Sequence, residues 1–335
     1  MKKGIAALLM GALIIMSACS RSGRSEEEAV VPEFVFTYAE NQAEDYPTAK
    51  GAYRFAELVK ERSGGRIEIL VKAGGSLGDE KSVIEQMQFG GVDFARVSLS
   101  PLCDYVPKLN VLHLPYLYTD AEHRWEVLEG EIGDDFLESF DGTNLVALSW
   151  YEAGARNFYN SIRPVHSPKD MRNMKIRVQE SELMLRMVEI LGASAVKTPY
   201  DEVYSSLETR RIDGAENNWP SYESENHYKV AKYYTVDEHA RVPELQIVSE
   251  FTWNKLSEED RTMIKECAQE SARYERELWQ DQEKRSRRRL EAAGCEVVEL
   301  TAQEKAAFQE RVLPLYWEFC AEYTSIIEAI VTSGK

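Results

Sequence analysis

The chain has 335 residues, 44% of them hydrophobic, and a formal net charge of −17 at pH 7. This length exceeds one ordinary hydrophobic core and predicts two lobes. The acidic balance argues against nucleic acid and anionic membranes as partners. It does not exclude a small anionic ligand, because distant charges are screened over roughly 8–10 Å at physiological salt.

The N-terminal residues have the pattern of a signal peptide. A positively charged start is followed by IAALLMGALIIM, an apolar run too short to span a bilayer. Small residues then precede Cys19, as in a bacterial lipobox, with Met16 where leucine is more common. We expect residues 1–18 to be removed, Cys19 to carry a lipid anchor, and residues 19–32 to form a polar tether. The alternatives are a plain secretory signal or a single anchor helix, and all three export the protein to the periplasm or cell exterior.

The remaining cysteines form no recognisable metal or redox motif. None lies in a C-x-x-C pair, and no Cys/His group has zinc spacing. An exported protein can hold a disulfide, but the sequence does not assign one. These cysteines are Cys103, Cys267, Cys295 and Cys320. We predict no metal and no cofactor.

Strands and helices alternate along the first half of the chain. EFVFTYA, RIEILV and VDFARVSL are predicted strands, separated by helices that begin at Pro47 and after Asp79. Two helical stretches then lead to the strand NLVALSWY. This β-α-β-α-β order predicts a parallel sheet with helices on both faces. We assign residues 33–153 to an N-terminal α/β lobe.

The same pattern begins again in residues 154–242, which we assign to a C-terminal α/β lobe. MKIRV is a predicted strand, and the next helix is capped by Ser181 and ended by Gly192. IDGAE is a further strand. KYYTVD and ELQIVSEFT have the character of crossings between lobes, so a strand near 244–252 returns to the first lobe.

Residues 257–293 predict one long helix. The stretch lacks Gly and Pro after Ser257, which can cap its start, and Gly294 can end it. At 1.5 Å per residue the helix measures roughly 54 Å, longer than one lobe, so we expect it to run along both. Its polarity argues against a transmembrane role. Residues 294–335 then add a strand and a helix.

A hydrolase has one motif in its favour. GGSLG, residues 74–78, satisfies G-x-S-x-G between a strand and a helix. The predicted helix begins only at Asp79, whereas the serine of a nucleophile elbow leads directly into its helix. The five histidines fall in no triad or H-E-x-x-H spacing, and there is no Walker loop or G-x-G-x-x-G. We therefore predict no catalytic residues, with an exported hydrolase as a less favoured alternative.

Polar side chains accompany three strands of the second half. Arg156 follows a strand, Arg177 lies within KIRVQ, and Asn217 ends the strand before Trp219. Alternation in KIRVQ puts Arg177 on the face opposite its apolar neighbours. Each residue also has an explanation without a ligand: the arginines could lie on the surface, Asn217 could form an Asx turn, and Trp219 could belong to the core. Ligands of open α/β sheets bind beyond the strand ends, so together these residues predict a cleft between the lobes.

Several segments match one known family in the same order. They are GGSLGDEKSVIEQMQFGGVDFA, LPYLY, GARNFYNSIRP, MKIRVQES, TPYDEVYSSLETRRIDGAENN and the long helix. The chain thus resembles the DctP-type solute-binding proteins of tripartite ATP-independent periplasmic (TRAP) transporters, from about Glu33 to the C-terminal helix. The resemblance implies an α/β fold of the two-lobed periplasmic-binding-protein type, with a long helix spanning both lobes. It also implies lobe closure over a ligand and partner membrane subunits.

The resemblance implies roles for individual residues. Arg177, in the KIRV-type strand, would form a bidentate salt bridge with a ligand carboxylate, which the planar guanidinium allows and lysine does not. Arg156, in the GARN-type segment, would add a second contact. Asn217, in the AENN-type turn, would hydrogen-bond the carboxylate region, and Tyr200 would lie over the ligand.

A narrower likeness concerns the ligand. AENQAEDYP, DFARVSLSP, ENNWPSYES and DEHARVPE are similar to the subgroup that takes up sugar acids, particularly hexuronates such as glucuronate or galacturonate. The candidate hydroxyl partners are Glu40, Glu80, Arg96, Ser98 and His239, and the candidate ring faces are Trp219 and Tyr200. Arg96 has an open alternative, a buried ion pair with Asp93 or Glu80.

Two other ligand-binding functions remain open. A C4-dicarboxylate or another small organic acid would use the same Arg177, although Glu40 and Glu80 would be unfavourable beside extra carboxylates. A sensor accessory would bind the same ligand and hand it to a receptor instead of a transporter.

Overall fold

The computed structural model describes residues 31–334. The predicted signal peptide, the lipidation site Cys19 and most of the tether lie outside the described residues. Within that range no helix is long and apolar enough to cross a membrane. The four described cysteines are free thiols, so the structure contains no disulfide among them.

The strands and helices alternate as predicted over most of the chain. The strands are β1 Phe34–Ala39, β2 Ile67–Lys72, β3 Phe94–Ser98, β4 Leu145–Tyr151, β5 Arg156–Asn160, β6 Lys175–Val178, β7 Ser194–Lys197, β8 Gly214–Asn217, β9 Tyr233–Ala240, β10 Glu244–Ser249 and β11 Glu296–Glu299. The helices are α1 Pro47–Arg62, α2 Glu80–Gln88, α3 Leu99–Leu102, α4 Asn110–His113, α5 Ala121–Leu128, α6 Glu131–Leu137, α7 Glu182–Leu191, α8 Val203–Glu208, α9 Trp219–Ser224, α10 Glu250–Trp253, α11 Glu258–Ala292, α12 Ala302–Val312, α13 Pro314–Cys320 and α14 Thr324–Ser333. Short 3-10 turns lie at Pro107–Leu109, Pro168–Met171, Tyr200–Glu202, His227–Lys229 and Ala321–Tyr323.

The first sheet, with strand order β2-β1-β3-β10-β4, forms the N-lobe. Its core packs Tyr38, Phe55 and Phe94 between the sheet and α1. The helix starts follow local chemistry: Pro47 opens α1 at a position that needs no backbone donor, and the Asp79 carboxylate accepts the Ser82 N–H at 2.8 Å at the start of α2. Both helix starts follow turns that border the cleft.

The second sheet, with strand order β11-β9-β5-β8-β6-β7, forms the C-lobe. Ser181 caps α7 through the Met184 N–H, and α7 ends at Gly192, whose φ of 99° suits glycine. Ile176 and Val178 of β6 are fully buried, and their face packs with Met184 and other apolar side chains of α7. β6 is thereby fixed between β7 and β8.

The expectation of fully parallel sheets is wrong for one strand in each lobe. β10 runs antiparallel to β3 and β4, and β5 runs antiparallel to β8 and β9. The reason is that the chain crosses from one lobe to the other immediately before each of these strands. Each of these strands enters its sheet directly from the other lobe, hence at the edge facing the cleft, and must run away from that edge.

Three connections join the lobes. The chain passes from β4 to β5 through residues 152–155 and from β9 to β10 through residues 241–243. The third connection is α11, 35 residues and roughly 52 Å long, which packs against α1 and β4 of the N-lobe and α9 of the C-lobe. Ser257 caps its start and Gly294, with φ of 88°, follows its end, as predicted.

The C-terminal segment holds β11 and three helices instead of the single predicted helix. Pro314 has no N–H to continue the hydrogen-bond ladder of α12, so a new helix begins there. Buried residues of α12 to α14 join the largest apolar cluster, which also contains residues of α3 to α6 and of α7. The C-terminal helices therefore pack across both lobes.

Candidate ligand-binding site between the two lobes

A cavity of about 390 Å³ lies between the lobes, beyond the carboxyl ends of β1, β3, β6 and β8. This volume is typical of small-molecule sites, which span about 300–1,000 Å³. The lining side chains include Asn41, Gln42, Tyr46, Glu80, Arg96, Ser98 and Glu244 from the N-lobe, Arg156, Arg177, Gln179, Tyr200, Asn217, Asn218 and Ser221 from the C-lobe, and Trp279 from α11.

Arg177 reaches this cavity from the middle of β6. Its Nε donates to the carbonyl oxygen of Thr198 at 2.8 Å, and within residues 31–334 its guanidinium has no ion-pair partner. The residue is only 3% exposed. Burial lowers the pKa of Arg177 from its usual value, as expected for a cation removed from water, but an arginine stays charged near neutral pH. This buried positive charge favours an anionic ligand.

Arg156, unlike Arg177, has a carboxylate partner and two further acceptors within the protein. Its Nε pairs with the Glu216 carboxylate, Nη2 donates to the Glu216 carbonyl oxygen at 2.8 Å, and Nη1 donates to Asn217 Oδ1 at 3.2 Å. The sequence placed Arg156 in a loop, but it is the first residue of β5. It reaches the cleft because β5 begins at the edge where the other strands of the sheet end.

A buried chain of charges supports Arg156 from behind. His239 Nδ1 lies 2.9 Å from Asp237 Oδ2, and His239 Nε2 lies 3.6 Å from Glu216 Oε2. Burial raises the pKa of the Glu216 carboxyl, but the contacts with Arg156 and His239 outweigh burial and lower this pKa to about 2. Asp237 and Glu216 likewise raise the pKa of His239 to about 8. The alternating charges fix the guanidinium of Arg156 at the cleft.

Arg96 occupies the opposite, N-lobe side of the cavity and forms ion pairs. Its Nε donates to Glu40 at 3.1 Å, and its Nη1 donates to Glu80 at 3.0 Å and to Glu244 at 2.7 Å. Of the two pairings left open by the sequence, that with Glu80 is confirmed and that with Asp93 is wrong. Asp93 lies at the other end of the strand and accepts hydrogen bonds from Thr37 and Thr252.

The structure brings most of the predicted site residues to one cavity. Those lining it are Arg177, Arg156, Asn217, Glu80, Arg96, Ser98 and Tyr200. Glu40 lies behind Arg96 with no exposed side-chain surface. His239 does not line the cavity, because Glu216 stands between it and Arg156.

Trp219 is also displaced from its predicted place beside the ligand. Its ring stacks on Tyr234 at 3.8 Å between centroids, and Arg287 of α11 covers the ring at 5.5 Å. Trp219 is the first residue of α9, and its side chain fills the C-lobe core. It cannot supply a ring face to a ligand in this cavity.

The sequence matches one family over most of its length. Residues 38–322 fit the family model DctP, described as bacterial extracellular solute-binding protein, family 7. This chain belongs to that family.

Individual members of family 7 are similar over nearly the whole chain. A curated solute-binding protein from Chromohalobacter salexigens is 39% identical, covering 86% of this chain and 84% of its own. A TRAP periplasmic solute-binding protein from Bradyrhizobium, solved with galacturonate, is 38% identical with a TM-score of 0.86, covering 89% of this chain and 99% of its own. Another from Pseudomonas putida F1, solved with D-glucuronate, is 36% identical with a TM-score of 0.86, covering 88% and 96%. A C4-dicarboxylate-binding protein from Bacillus subtilis is 28% identical, covering 88% and 84%.

The two lobes of this family 7 protein contact each other around the cavity. On one side Tyr46 Oη lies 2.8 Å from Ser221 Oγ. On another, Gln179 Nε2 donates to Ser98 Oγ at 3.0 Å, and Ser100 Oγ donates to Gln179 Oε1 at 2.8 Å. These direct hydrogen bonds between the lobes describe a closed arrangement.

Several cavity residues were missed by the sequence reasoning. Trp279 lies in the polar long helix, where no local pattern marked it. Glu244 ends the segment DEHARVPE, so a signal for it was available. Asn41 and Gln42 lie in the segment AENQAEDYP, and Gln179 shares the face of Arg177 in KIRVQ, so signals for these three were available. Ser76 of GGSLG lies in an exposed turn separated from α2 by three residues, unlike the serine of a nucleophile elbow.

Proposed function

We propose that this protein captures a hexuronate, such as glucuronate or galacturonate, and delivers it to the membrane subunits of a TRAP transporter. Support comes from membership of family 7 and from solved neighbours of 36–38% identity that hold these two sugars. The neighbours cover nearly the same length as this chain, so the cleft is part of the likeness.

The observation that carries the proposal is the unpaired charge of Arg177. Arg96 and Arg156 both have carboxylate partners, whereas Arg177 has none within residues 31–334. A ligand carboxylate would complete this pairing through a bidentate salt bridge. Asn217 and Arg156 would add contacts to the same carboxylate, and Tyr200 would lie over the ligand.

The N-lobe side would bind the sugar hydroxyls. Glu80 and Ser98 offer hydrogen-bond acceptors at the cavity surface, and Arg96 holds the Glu80 carboxylate in place. Closure of the lobes would then bring these groups and Arg177 onto opposite ends of one ligand.

Thermal unfolding and calorimetry of residues 31–335 test the proposal. The ligands are glucuronate, galacturonate, sialate, succinate and malate. A ligand present at 100 times its dissociation constant stabilises a protein by about 2.7 kcal/mol, which raises the unfolding temperature by several degrees. We expect this shift for a hexuronate. A shift with succinate or malate alone would overturn the sugar-acid assignment. If none of these acids shifts the unfolding temperature, the proposal that the protein binds a hexuronate would lose its support.

We further propose that the protein is exported and held to the membrane by a lipid on Cys19. The extracellular character of family 7 and the lipobox-like sequence support this location. Cell fractionation tests it. The wild-type chain should partition with membranes in its processed form, and Cys19→Ala should either release the chain or leave it with its signal peptide attached. A processed Cys19→Ala chain that associates with membranes as fully as the wild type would contradict the anchor.

A further inference from the structure

The N-lobe wall of the cavity has more negative than positive charge. One guanidinium, that of Arg96, is shared by three carboxylates, those of Glu40, Glu80 and Glu244. Within residues 31–334 no other cation pairs with any of the three. With all groups ionised, these four residues, here called the Arg96 cluster, carry a net charge of −2. The opposite wall presents Arg177, a cation with no carboxylate partner among the described residues.

The excess charge faces the ligand. Glu80, Glu244 and Arg96 line the cavity, whereas Glu40 is enclosed behind Arg96 and also accepts the backbone N–H of Gln42 at 2.9 Å. Arg96 is 3% exposed and already donates to all three carboxylates and to Asn41, so its donors are largely committed. The N-lobe wall therefore presents a ligand mainly with carboxylate oxygens, which are hydrogen-bond acceptors.

Carboxylate oxygens distinguish between ligand groups. An ionised carboxylate only accepts hydrogen bonds, so it binds hydroxyl donors. A second ligand carboxylate would meet two negative charges in a buried setting, where water screens them poorly. Burial, and to a lesser degree the charges of the neighbouring glutamates, raises the pKa of Glu80 and raises that of Glu244 to about 7, while the pairing with Arg96 acts in the opposite direction. Glu244 is therefore fully ionised only above about pH 7.

We propose that the Arg96 cluster is a charge filter, which accepts the hydroxyls of a monocarboxylate sugar acid and rejects ligands with a second carboxylate. The inference rests on the proposed capture of a hexuronate and adds the residues that set its selectivity. The charge filter would let a protein of this fold, with Arg177 as its carboxylate-binding arginine, exclude dicarboxylates. Glu244, absent from the sequence-based candidates, is the central residue of the filter.

Galacturonate and galactarate share the hydroxyl configuration of carbons 2 to 5 and the carboxylate at carbon 6, but galactarate has a second carboxylate at carbon 1. Galactarate is also open-chain, whereas galacturonate is mainly a pyranose ring, so the effect of charge is measured by how the affinity ratio of the two acids changes between the wild-type protein and its charge variants. Calorimetry at fixed ionic strength measures the ratio of their dissociation constants, with succinate as a dicarboxylate that lacks hydroxyls. In the wild-type protein we expect galacturonate to bind at least about tenfold more tightly than galactarate, because juxtaposed like charges are strongly unfavourable.

Removing negative charge from the Arg96 cluster should reduce the preference for galacturonate over galactarate. With the measurements made at pH 8, above the pKa of Glu244, Glu244→Gln and Glu80→Gln keep the side-chain shape and remove negative charge from the Arg96 cluster. We expect each variant to lower the preference for galacturonate by about tenfold, and the double variant to lower it further. Glu57→Gln, on the exposed face of α1, removes the same charge far from the cavity and should leave the ratio unchanged. Circular dichroism and unfolding temperature establish that each variant is folded.

The possible results separate the filter from the proposed function. A wild-type protein that binds galactarate or succinate as tightly as galacturonate would overturn the filter and leave hexuronate capture standing. An unchanged ratio in both folded variants would also overturn it. A wild-type protein that binds none of the three acids would overturn hexuronate capture and the filter that rests on it.

Discussion

At the scale of single residues, the three arginines of the cavity differ in what neutralises them. Arg96 and Arg156 are paired with glutamates inside the protein, whereas Arg177 has no carboxylate partner in the part of the chain that the structure describes. Their sequence contexts are similar, since each lies in or beside a buried strand. Partner geometry therefore determines which arginine is available to a ligand.

Arg177→Ala should reduce hexuronate affinity about 30- to 5,000-fold, equivalent to about 2–5 kcal/mol, because it leaves the ligand carboxylate buried without a partner. Arg177→Lys should recover little, since an ammonium group cannot form the bidentate pair. Calorimetry measures both. Arg186→Ala, on the exposed face of α7, is the matched control and should bind as the wild type does. Near-native affinity of the Arg177→Ala variant would contradict the salt bridge.

At the scale of elements, the long helix α11 controls the first crossing between the lobes. The carboxylate of Glu275 accepts the N–H of Glu152 at 2.9 Å. One and two helical turns further on, Trp279 and Glu283 pack against Gly154. The crossing at residues 152–155 is thus held by side chains of α11, since it lies outside either sheet.

Gly154→Ala should destabilise the protein more than Gly64→Ala. Both glycines have similar φ angles, 64° and 61°, so both substitutions should cost about 1–2 kcal/mol of backbone strain. A Cβ on Gly154 would also lie 2.7 Å from Glu283 Oε1, whereas one on Gly64 would have no atom within 4 Å. We expect overpacking to add about 1–3 kcal/mol for Gly154→Ala. Urea unfolding measures the difference, and equal losses would show that α11 does not pack tightly on the crossing.

The contact between α11 and the crossing should also make stability depend on pH. Burial, and next the charge of Glu152, raise the pKa of Glu283 from 4.5 to about 7. Because the folded state holds this proton more tightly, its contribution is fully present below about pH 4.5 and is lost as pH rises through about 7. We expect the free energy of unfolding to fall by about 1–3 kcal/mol over this window.

Substitution of Glu283 tests that assignment. Glu283→Gln should reduce the slope of the free energy of unfolding against pH between about pH 5 and 7.5, because the amide does not titrate, while Glu244 still contributes to the slope. Glu277→Gln, at an exposed position of the same helix, should keep the wild-type slope. A Glu283→Gln variant with an unchanged slope would assign the pH dependence to another group.

At the scale of the whole molecule, the closed arrangement depends on few direct contacts between the lobes at the cavity. They include the Tyr46–Ser221 and Gln179–Ser98 hydrogen bonds, each of which is worth little in net stability. Ligand contacts to both walls would add to them. Closure is therefore expected to depend on the ligand.

Small-angle X-ray scattering should show a smaller radius of gyration with bound hexuronate than without it, because the lobes approach each other. The Arg177→Ala variant at the same ligand concentration should retain the larger value. An identical radius for the free and bound wild-type protein would indicate that the lobes are closed before the ligand arrives.

The sequence by itself determined the order of the elements, the two lobes, and the caps of α2, α7 and α11. These features depend on local chemistry: alternation along strands, capping side chains, and glycine or proline at helix ends. Only the tertiary structure decided the reversal of β5 and β10, the burial of Trp219 and His239 away from the cavity, and the approach of Glu244 and Trp279 to it. Such features arise from contacts between segments far apart in the chain, which no local pattern specifies.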